Sequence, residues 1–407
     1  MPGPTVSHAL GSLGSALTAL YGREHEMLGL TRSWVEINSY TANIDGVNRV
    51  GALLRESFAS IRALTCTTIS GAADGYGDHM IWRTAATGAP ILLVGHHDTV
   101  FPPGHFEGWR EDPATGRAVG PGALDMKGGL SVIRAALAAL DELDLLAALP
   151  LAVISVADEE VGSPSSTPHL QALARNNGTP AACALVFESG RAGDAIITRR
   201  RGVGAMTVTA HGRAAHAGNN HKDGANAIWA LARFVDAAQA LTDYARGRTV
   251  NVGTFSGGTS KNTVPERAEC MLDLRYETVA DAESLVAALR AAAATAAATT
   301  QNGITLDLSG GARRLPLERT PASAALRDEY AACARASNLG DSESPLLGGG
   351  SDANTIAPLG IPAIDGLGPR GAGFHTTNEY VELATFVPKA EALLRFLWSR
   401  CQLPQLP

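Results

Sequence analysis

The chain is 407 residues long, 45% hydrophobic and 18% charged, with a formal net charge of -7 at pH 7. That length exceeds one ordinary core and points to two domains. The acidic balance gives no reason to expect nucleic acid or an anionic membrane as partner. No apolar run approaches the roughly 18–20 residues of a membrane helix, and the N-terminus lacks the basic segment of a signal peptide. Cys66, Cys183, Cys270, Cys333 and Cys401 are widely spaced, odd in number and without a CxxC pair. Neither a disulfide framework nor a thiolate zinc site is indicated. A reducing cytoplasm is the expectation, and any metal must be held by His, Asp and Glu.

Residues 1–60 read as mostly helical, with amphipathic helices over Met27–Ile37 and Val47–Ala59. Strands are expected at 66–69 and 80–82. The run Ala89-Pro90-Ile91-Leu92-Leu93-Val94 then reads as a buried parallel strand. It delivers His96 and Asp98 to the carboxyl end, where open α/β sheets collect their chemistry. His-x-Asp suits a metal site, the His as ligand and the Asp as its support; by itself it is equally a strand cap. A long irregular stretch follows and ends in Gly120-Pro121-Gly122-Ala123-Leu124-Asp125-Met126-Lys127-Gly128-Gly129, before a helix from Leu130 to about Ala148. The turn fits neither a P-loop nor GxGxxG, and its acid points to a cation rather than a phosphate. The buried strand 149–156 runs into Asp158-Glu159-Glu160, and the short strand 184–187 ends at Glu188. Three apolar strands thus terminate in metal-type ligands.

From about Gly202 the pattern changes to alternating strands and helices in the order β-α-β-β-α-β, that of a ferredoxin-like unit. Residues 202–312 read as an inserted domain of about 110 residues, an ordinary domain size. Residues 1–201 and 313–407 then form the two parts of one α/β catalytic domain with a mostly parallel sheet. The second part carries the Gly-rich turn 348–354, a strand at 361–364, a Gly-rich loop ending in His375, and a closing helix at 386–398. His96, Asp98, Asp125, Glu159, Glu160, Glu188 and His375 exceed the needs of one metal. Two ions about 3.5–4 Å apart would employ them all. Zinc suits such N and O donors best, with manganese or cobalt as alternatives.

The motifs His96-x-Asp98-Thr99-Val100, Gly120-Pro121-Gly122-x-x-Asp125-x-Lys127-Gly128-Gly129, Asp158-Glu159-Glu160-x-Gly162-Ser163, Glu188, Ala215-His216-Ala217-Gly218 and His375 before Glu379-Tyr380-Val381 run in order along nearly the whole chain. In them the sequence resembles the co-catalytic zinc aminoacylases and carboxypeptidases, the family of glutamate carboxypeptidase, acetylornithine deacetylase and succinyl-diaminopimelate desuccinylase. The glutamate carboxypeptidase branch fits best, through His-x-Asp-Thr-Val and Gly349-Gly350-Ser351-Asp352. The resemblance implies a zinc-exopeptidase-like catalytic domain and an inserted lid that dimerises. It implies two metal ions, with Asp125 bridging them, His96 and Glu188 completing one site, and Glu160 and His375 the other. Asp98 would orient His96, Glu159 would be the general base on the attacking water, and the Asp125–Met126 peptide bond would be cis.

From the inserted domain the resemblance carries over His216 as an oxyanion donor in a partner subunit's site, with Asn262 and Arg275 as substrate contacts. Gly349, Gly350 and Ser351 would line the pocket. Without the family, His216 reads as a turn histidine and Arg275 as a strand-face charge. Two departures bear on specificity. Ile196 stands where glutamate carboxypeptidase has a substrate-region lysine, and Arg313, Arg314 and Arg319 compete for one arginine position. Arg199-Arg200-Arg201 reads as a solvated turn at the hinge. The expected activity is hydrolysis of an amide bond in N-acyl amino acids or small peptides with a free carboxylate. The alternatives are another N-acyl amino acid deacylase of the same family, a non-catalytic metal-binding relative, and a Gly-loop nucleotide binder.

Overall fold

A computed structural model describes residues 6–402; the helical expectation for residues 1–5 lies outside the described residues. The chain divides into two compact units. The first comprises the chain up to Thr198, Arg319–Leu346 and the chain from Ser351. The second comprises Arg199–Glu318 and Leu347–Gly350. The second unit therefore begins before 202, ends after 312 and takes in a piece of the Gly-rich turn. Backbone pairing across sequence gaps explains the difference. Arg200 N–H donates to Leu317 O (3.1 Å), and Arg201 N–H donates to Leu347 O (2.9 Å).

A six-stranded mixed sheet is the frame of the first unit, in the order Thr65–Ile69, His79–Arg83, Leu151–Val156, Ile91–His96, Cys183–Val186, Ala363–Ile364. The last four strands run parallel, and the first two are antiparallel additions at one edge. Ile91–His96, Leu151–Val156 and Cys183–Val186 are buried at every position, as strands covered on both faces must be. The helix Gly128–Asp141, buried throughout, packs against Phe386–Gln402 and Glu24–Val35. It stops short of the expected Ala148. Asp144 takes a left-handed φ of 55°, and the Asp141 carboxylate is committed to the backbone N–H groups of Arg62 and Ala63 at 3.0 Å each. The helix over residues 44–58 begins three residues earlier than expected, because the Asn43 side chain caps it by accepting from Gly46 N–H.

The stretch after His96-x-Asp98 is less irregular than the sequence implies. It contains a hairpin, Arg110–Asp112 with Arg117–Val119. Tyr380–Glu382 extends this hairpin by pairing with Arg117–Val119, and Gly371–Ala372 pairs in turn with Tyr380–Glu382. This small antiparallel sheet brings the loop of His375 beside the turn of Asp125.

The second unit is a four-stranded antiparallel sheet in the order Thr249–Gly257, Arg267–Tyr276, Gly202–His211, Thr305–Arg314. Ala227–Gln239 and Val279–Thr300 pack on it, which is the ferredoxin-like arrangement. Along Gly202–His211 burial alternates strictly, as expected when one face is covered. Its core is separate, built around Val208, Phe234, Leu274, Leu285 and Leu289. Among the described residues no helix is long and apolar enough to cross a membrane, and all five cysteines are free thiols.

Candidate metal centre

The register of the parallel strands builds the site. His96 lies opposite Val156, so both strands end at one level and Asp98, Glu159 and Glu160 leave the sheet together. Phe187 N–H donates to Val94 O (3.0 Å) and carries the neighbouring strand on to Glu188. Asp98 is fully buried and links these ends. Its two carboxylate oxygens accept from Glu159 N–H and Glu160 N–H at 3.2 Å each, and from Thr41 Oγ1 at 2.8 Å. His96 Nδ1 lies 3.4 Å from Asp98 Oδ1 and 3.1 Å from the Asp98 carbonyl. That leaves His96 Nε2 aimed at the centre.

The turn of Asp125 is held from two sides. Gly122 takes a left-handed φ of 74°, and the Asp125–Met126 bond is cis. A Cβ at Gly129 would lie 2.1 Å from Phe187 O, so only glycine lets the following helix press against the strand of Glu188. Asp125 then faces both histidines. Its Oδ1 is 3.3 Å from His96 Nε2, and its Oδ2 is 3.4 Å from His375 Nε2. His96 Nε2 is 3.7 Å from Glu188, and His375 Nε2 is 3.1 Å from Glu160. Donor atoms of His96, Glu159 and Glu188 lie within 4.8 Å of one another, as do those of His96, Asp125 and Glu160. His375 is an exposed residue on a left-handed backbone, φ 62°. The structure thus gathers His96, Asp98, Asp125, Glu159, Glu160, Glu188 and His375 in one place.

The electrostatics call for a cation. Asp125, Glu159, Glu160 and Glu188 share one pocket with two imidazoles. Burial, with Asp125 adding to it, pushes Glu160 up to about 8 and Glu188 well above the usual carboxylate range. His375 is lifted to about 10 by its hydrogen bonds to Asp125 and Glu160. For Asp125 burial acts upward, but the hydrogen bonds from His375 and His96 outweigh it and hold the group far below its ordinary value. Buried like charges at this density are costly unless a cation compensates them. The donors are imidazole and carboxylate with no thiolate among them, which fits a divalent metal of borderline or hard character.

His97 is turned away from this centre. It is buried, its Nδ1 pairs with Ser155 Oγ (2.9 Å), and burial brings its pKa down to about 3. Sequence reasoning gave no role to two neighbours. Thr41 supports Asp98 from 57 residues away, and no local pattern announces it. Glu379 is 1% exposed and accepts from Leu124 N–H (2.9 Å) and Asp125 N–H (3.1 Å). Its sole signal in the sequence is its place just after His375.

The other candidates have their own surroundings. In the second unit, His216 is exposed, and its Nδ1 accepts from Gly218 N–H and Asn219 N–H at 3.1 Å each. The neutral ring therefore carries its proton on Nε2, which is left to donate. The Asn262 carbonyl accepts from Ala217 N–H (2.9 Å), and its side chain accepts from Ser260 Oγ (2.8 Å). Arg275 forks onto Asp273 at 2.8 and 2.9 Å. Gly349 accepts from Arg200 Nη1 (3.1 Å) and is followed by Gly350. Arg200 itself is 4% exposed, so the three arginines are not simply a solvated turn. In the first unit, Ser351 is buried and donates to Asp365 at 2.6 Å, while Ile196 is a core residue.

Residues 198–301 match the model of a peptidase dimerisation domain, M20_dimer. The chain is 27% identical over 353 residues to carboxypeptidase G2 of Pseudomonas sp. (strain RS-16), covering 86% of this chain and 83% of that one. It is 30% identical over 323 residues to the succinyl-diaminopimelate desuccinylase of Xylella fastidiosa (strain 9a5c), covering 75% and 82%. Among solved structures, an aminopeptidase PepT from Bacillus cereus superposes with a TM-score of 0.73 at 23% identity, over 92% of this chain and 98% of that one. An M20 family metallo-carboxypeptidase from Sulfolobus solfataricus superposes with a TM-score of 0.67 at 17% identity, over 93% and 100%. These two superpositions bear on the fold.

Proposed function

The chain belongs to the M20 family of metal-dependent peptidases and amide hydrolases, and from that premise we propose that it hydrolyses N-acyl amino acids or small peptides with a free carboxylate, using two zinc ions per chain. The observation that carries the reading is the two-sided placement of Asp125, one carboxylate oxygen toward His96 and the other toward His375. His96 and Glu188 would complete one ion's ligands, and Glu160 and His375 the other's. Cobalt or manganese would suit the same donors.

When bound, the two cations polarise the amide carbonyl and make the attacking water acidic. The chain's own groups do the rest. Glu159, placed by Asp98 through its backbone N–H, takes a proton from the water as the oxygen adds to the carbonyl carbon. The same carboxyl returns that proton to the leaving nitrogen as the C–N bond breaks, giving an acid and an amine. His216, with its proton on Nε2, would donate to the oxyanion of a partner subunit's site. That requires a homodimer formed through the second unit, which the matched dimerisation domain supports. Asn262, Arg275, Gly349, Gly350 and Ser351 are proposed to shape the substrate pocket. Arg275 would have to exchange Asp273 for a substrate carboxylate, and Ser351, committed to Asp365, would act by shaping the turn. A cytoplasmic location accords with five free thiols.

The test is hydrolysis of a panel of N-acyl amino acids and dipeptides by zinc-loaded protein, beside its Glu159→Gln variant. The variant is expected to lose at least about 100-fold in kcat, the low end of general acid–base contributions, while zinc content is retained. Unchanged turnover in Glu159→Gln would refute the assignment.

A further inference from the structure

Glu379 is a buried carboxylate with no part in the proposed chemistry, and its position is specific. Tyr380–Glu382 pairs with Arg117–Val119, with Tyr380 opposite Val119. Glu379 therefore stands beside the chain just where it enters the turn 120–125. One oxygen, Oε1, accepts from both Leu124 N–H and Asp125 N–H, and the Gly122 amide also bonds the carboxylate. The other end of the connection is short. Glu379 N–H donates to Thr376 O (3.1 Å), and Thr376 N–H donates to Gly373 O (3.0 Å). This winds the segment tightly around His375, whose backbone is itself left-handed. Two candidate ligands 250 positions apart are thus joined through one side chain.

We propose that Glu379 is a positioning residue, whose carboxylate clamps the backbone of the Asp125 turn to the loop of His375 and so sets the two ligands against each other. The inference rests on the reading of Asp125 and His375 as metal ligands. A hydrophobic isostere removes the acceptor while filling the space, whereas glutamine keeps one oxygen for the same two N–H groups. Glu379 acts through the backbone N–H groups of Leu124 and Asp125, so its loss should act through metal affinity and kcat and leave KM nearly unchanged.

The experiment uses full-length Glu379→Leu, Glu379→Gln and His375→Ala beside the parent. In metal-free protein, amide hydrogen exchange over residues 122–127 is expected to rise at least about tenfold in Glu379→Leu, for a group that no longer holds its protecting bond. It should stay near the parent rate in Glu379→Gln and in His375→Ala. Zinc competition against a chromophoric chelator is expected to show affinity weakened by about 10–100-fold in Glu379→Leu, the usual effect of removing a ligand's outer support. Glutamine should restore most of it, and the visible spectrum of bound Co2+ should shift in the leucine variant alone of these two. Parent-like exchange in Glu379→Leu would overturn the clamp. Lost protection with parent-like zinc affinity and cobalt spectrum would overturn its link to the ligands. If the parent takes up no zinc, the functional reading fails while the exchange comparison still decides the clamp. Should Glu379→Leu not fold, Glu379→Met takes its place as the variant without the acceptor: weakened zinc binding with lost protection supports the proposal, and parent-like behaviour in both measurements overturns it.

Discussion

At the scale of single residues, Asp98 does more than hold an imidazole. It accepts from Thr41, Glu159 and Glu160, so it fixes both acids through their backbone. Asp98→Asn keeps the volume but turns an acceptor into an NH2 facing donors. We expect kcat to fall by about 10–100-fold with a smaller change in KM, and Thr41→Val to do the same more weakly; steady-state kinetics on zinc-loaded protein would check both. His79 offers a pH test away from the ligands. Its Nδ1 accepts from Ala157 N–H (3.1 Å), its Nε2 pairs with Ser165 Oγ (3.2 Å), and burial lowers its pKa below 6.5. The folded state therefore resists a proton that the unfolded chain accepts. The stability from neutral His79 is complete above pH 6.5 and is lost as the pH falls below it. Urea unfolding at pH 7.5 and 5.5 should show a smaller loss on acidification in His79→Asn than in the parent. An equal or larger loss would count against this account.

Among the elements, glycine 129 and a helix cap separate strain in the site from ordinary stability. Gly129→Ala would drive a methyl group into Phe187 O. We expect a cost of about 1–3 kcal/mol together with reduced activity, because the turn of Asp125 must move from Glu188. Thr320 caps Pro321–Ala336 in a reciprocal pair with Ser323. Thr320→Ala should cost about 1 kcal/mol and leave kcat/KM unchanged. Denaturant midpoints and kinetics on both variants check the contrast. Legibility in the sequence follows the same physics. The all-buried strands were readable because both faces are apolar and a polar residue ends each run. Arg110–Asp112, exposed at all three positions, has no such pattern and reads as loop. Its hairpin partner Arg117–Val119 pairs in turn with Tyr380–Glu382, more than 250 residues later, and the small sheet they form is what seats Glu379.

For the whole molecule, each unit has an apolar core of its own, so metal is not needed to bury the chain's hydrophobic surface. Chelation is therefore expected to abolish hydrolysis while the far-UV circular dichroism is kept. Re-addition of zinc should raise the unfolding midpoint in proportion to the logarithm of free metal, about 1.4 kcal/mol per tenfold for each site filled. A chain that unfolds on chelation would contradict this. By itself the sequence determined the α/β frame, the inserted ferredoxin-like unit and the set of acids and histidines at strand ends. Periodicity and an abrupt polar stop encode a strand and its chemistry within a few residues. Only the tertiary structure decided how those groups face one another: Asp125 between two histidines, Asp98 shared among backbone donors, Glu379 against the Asp125 turn. Those contacts join residues 29 to 255 positions apart. Contacts of that span are set by packing and register and leave no trace in local spacing.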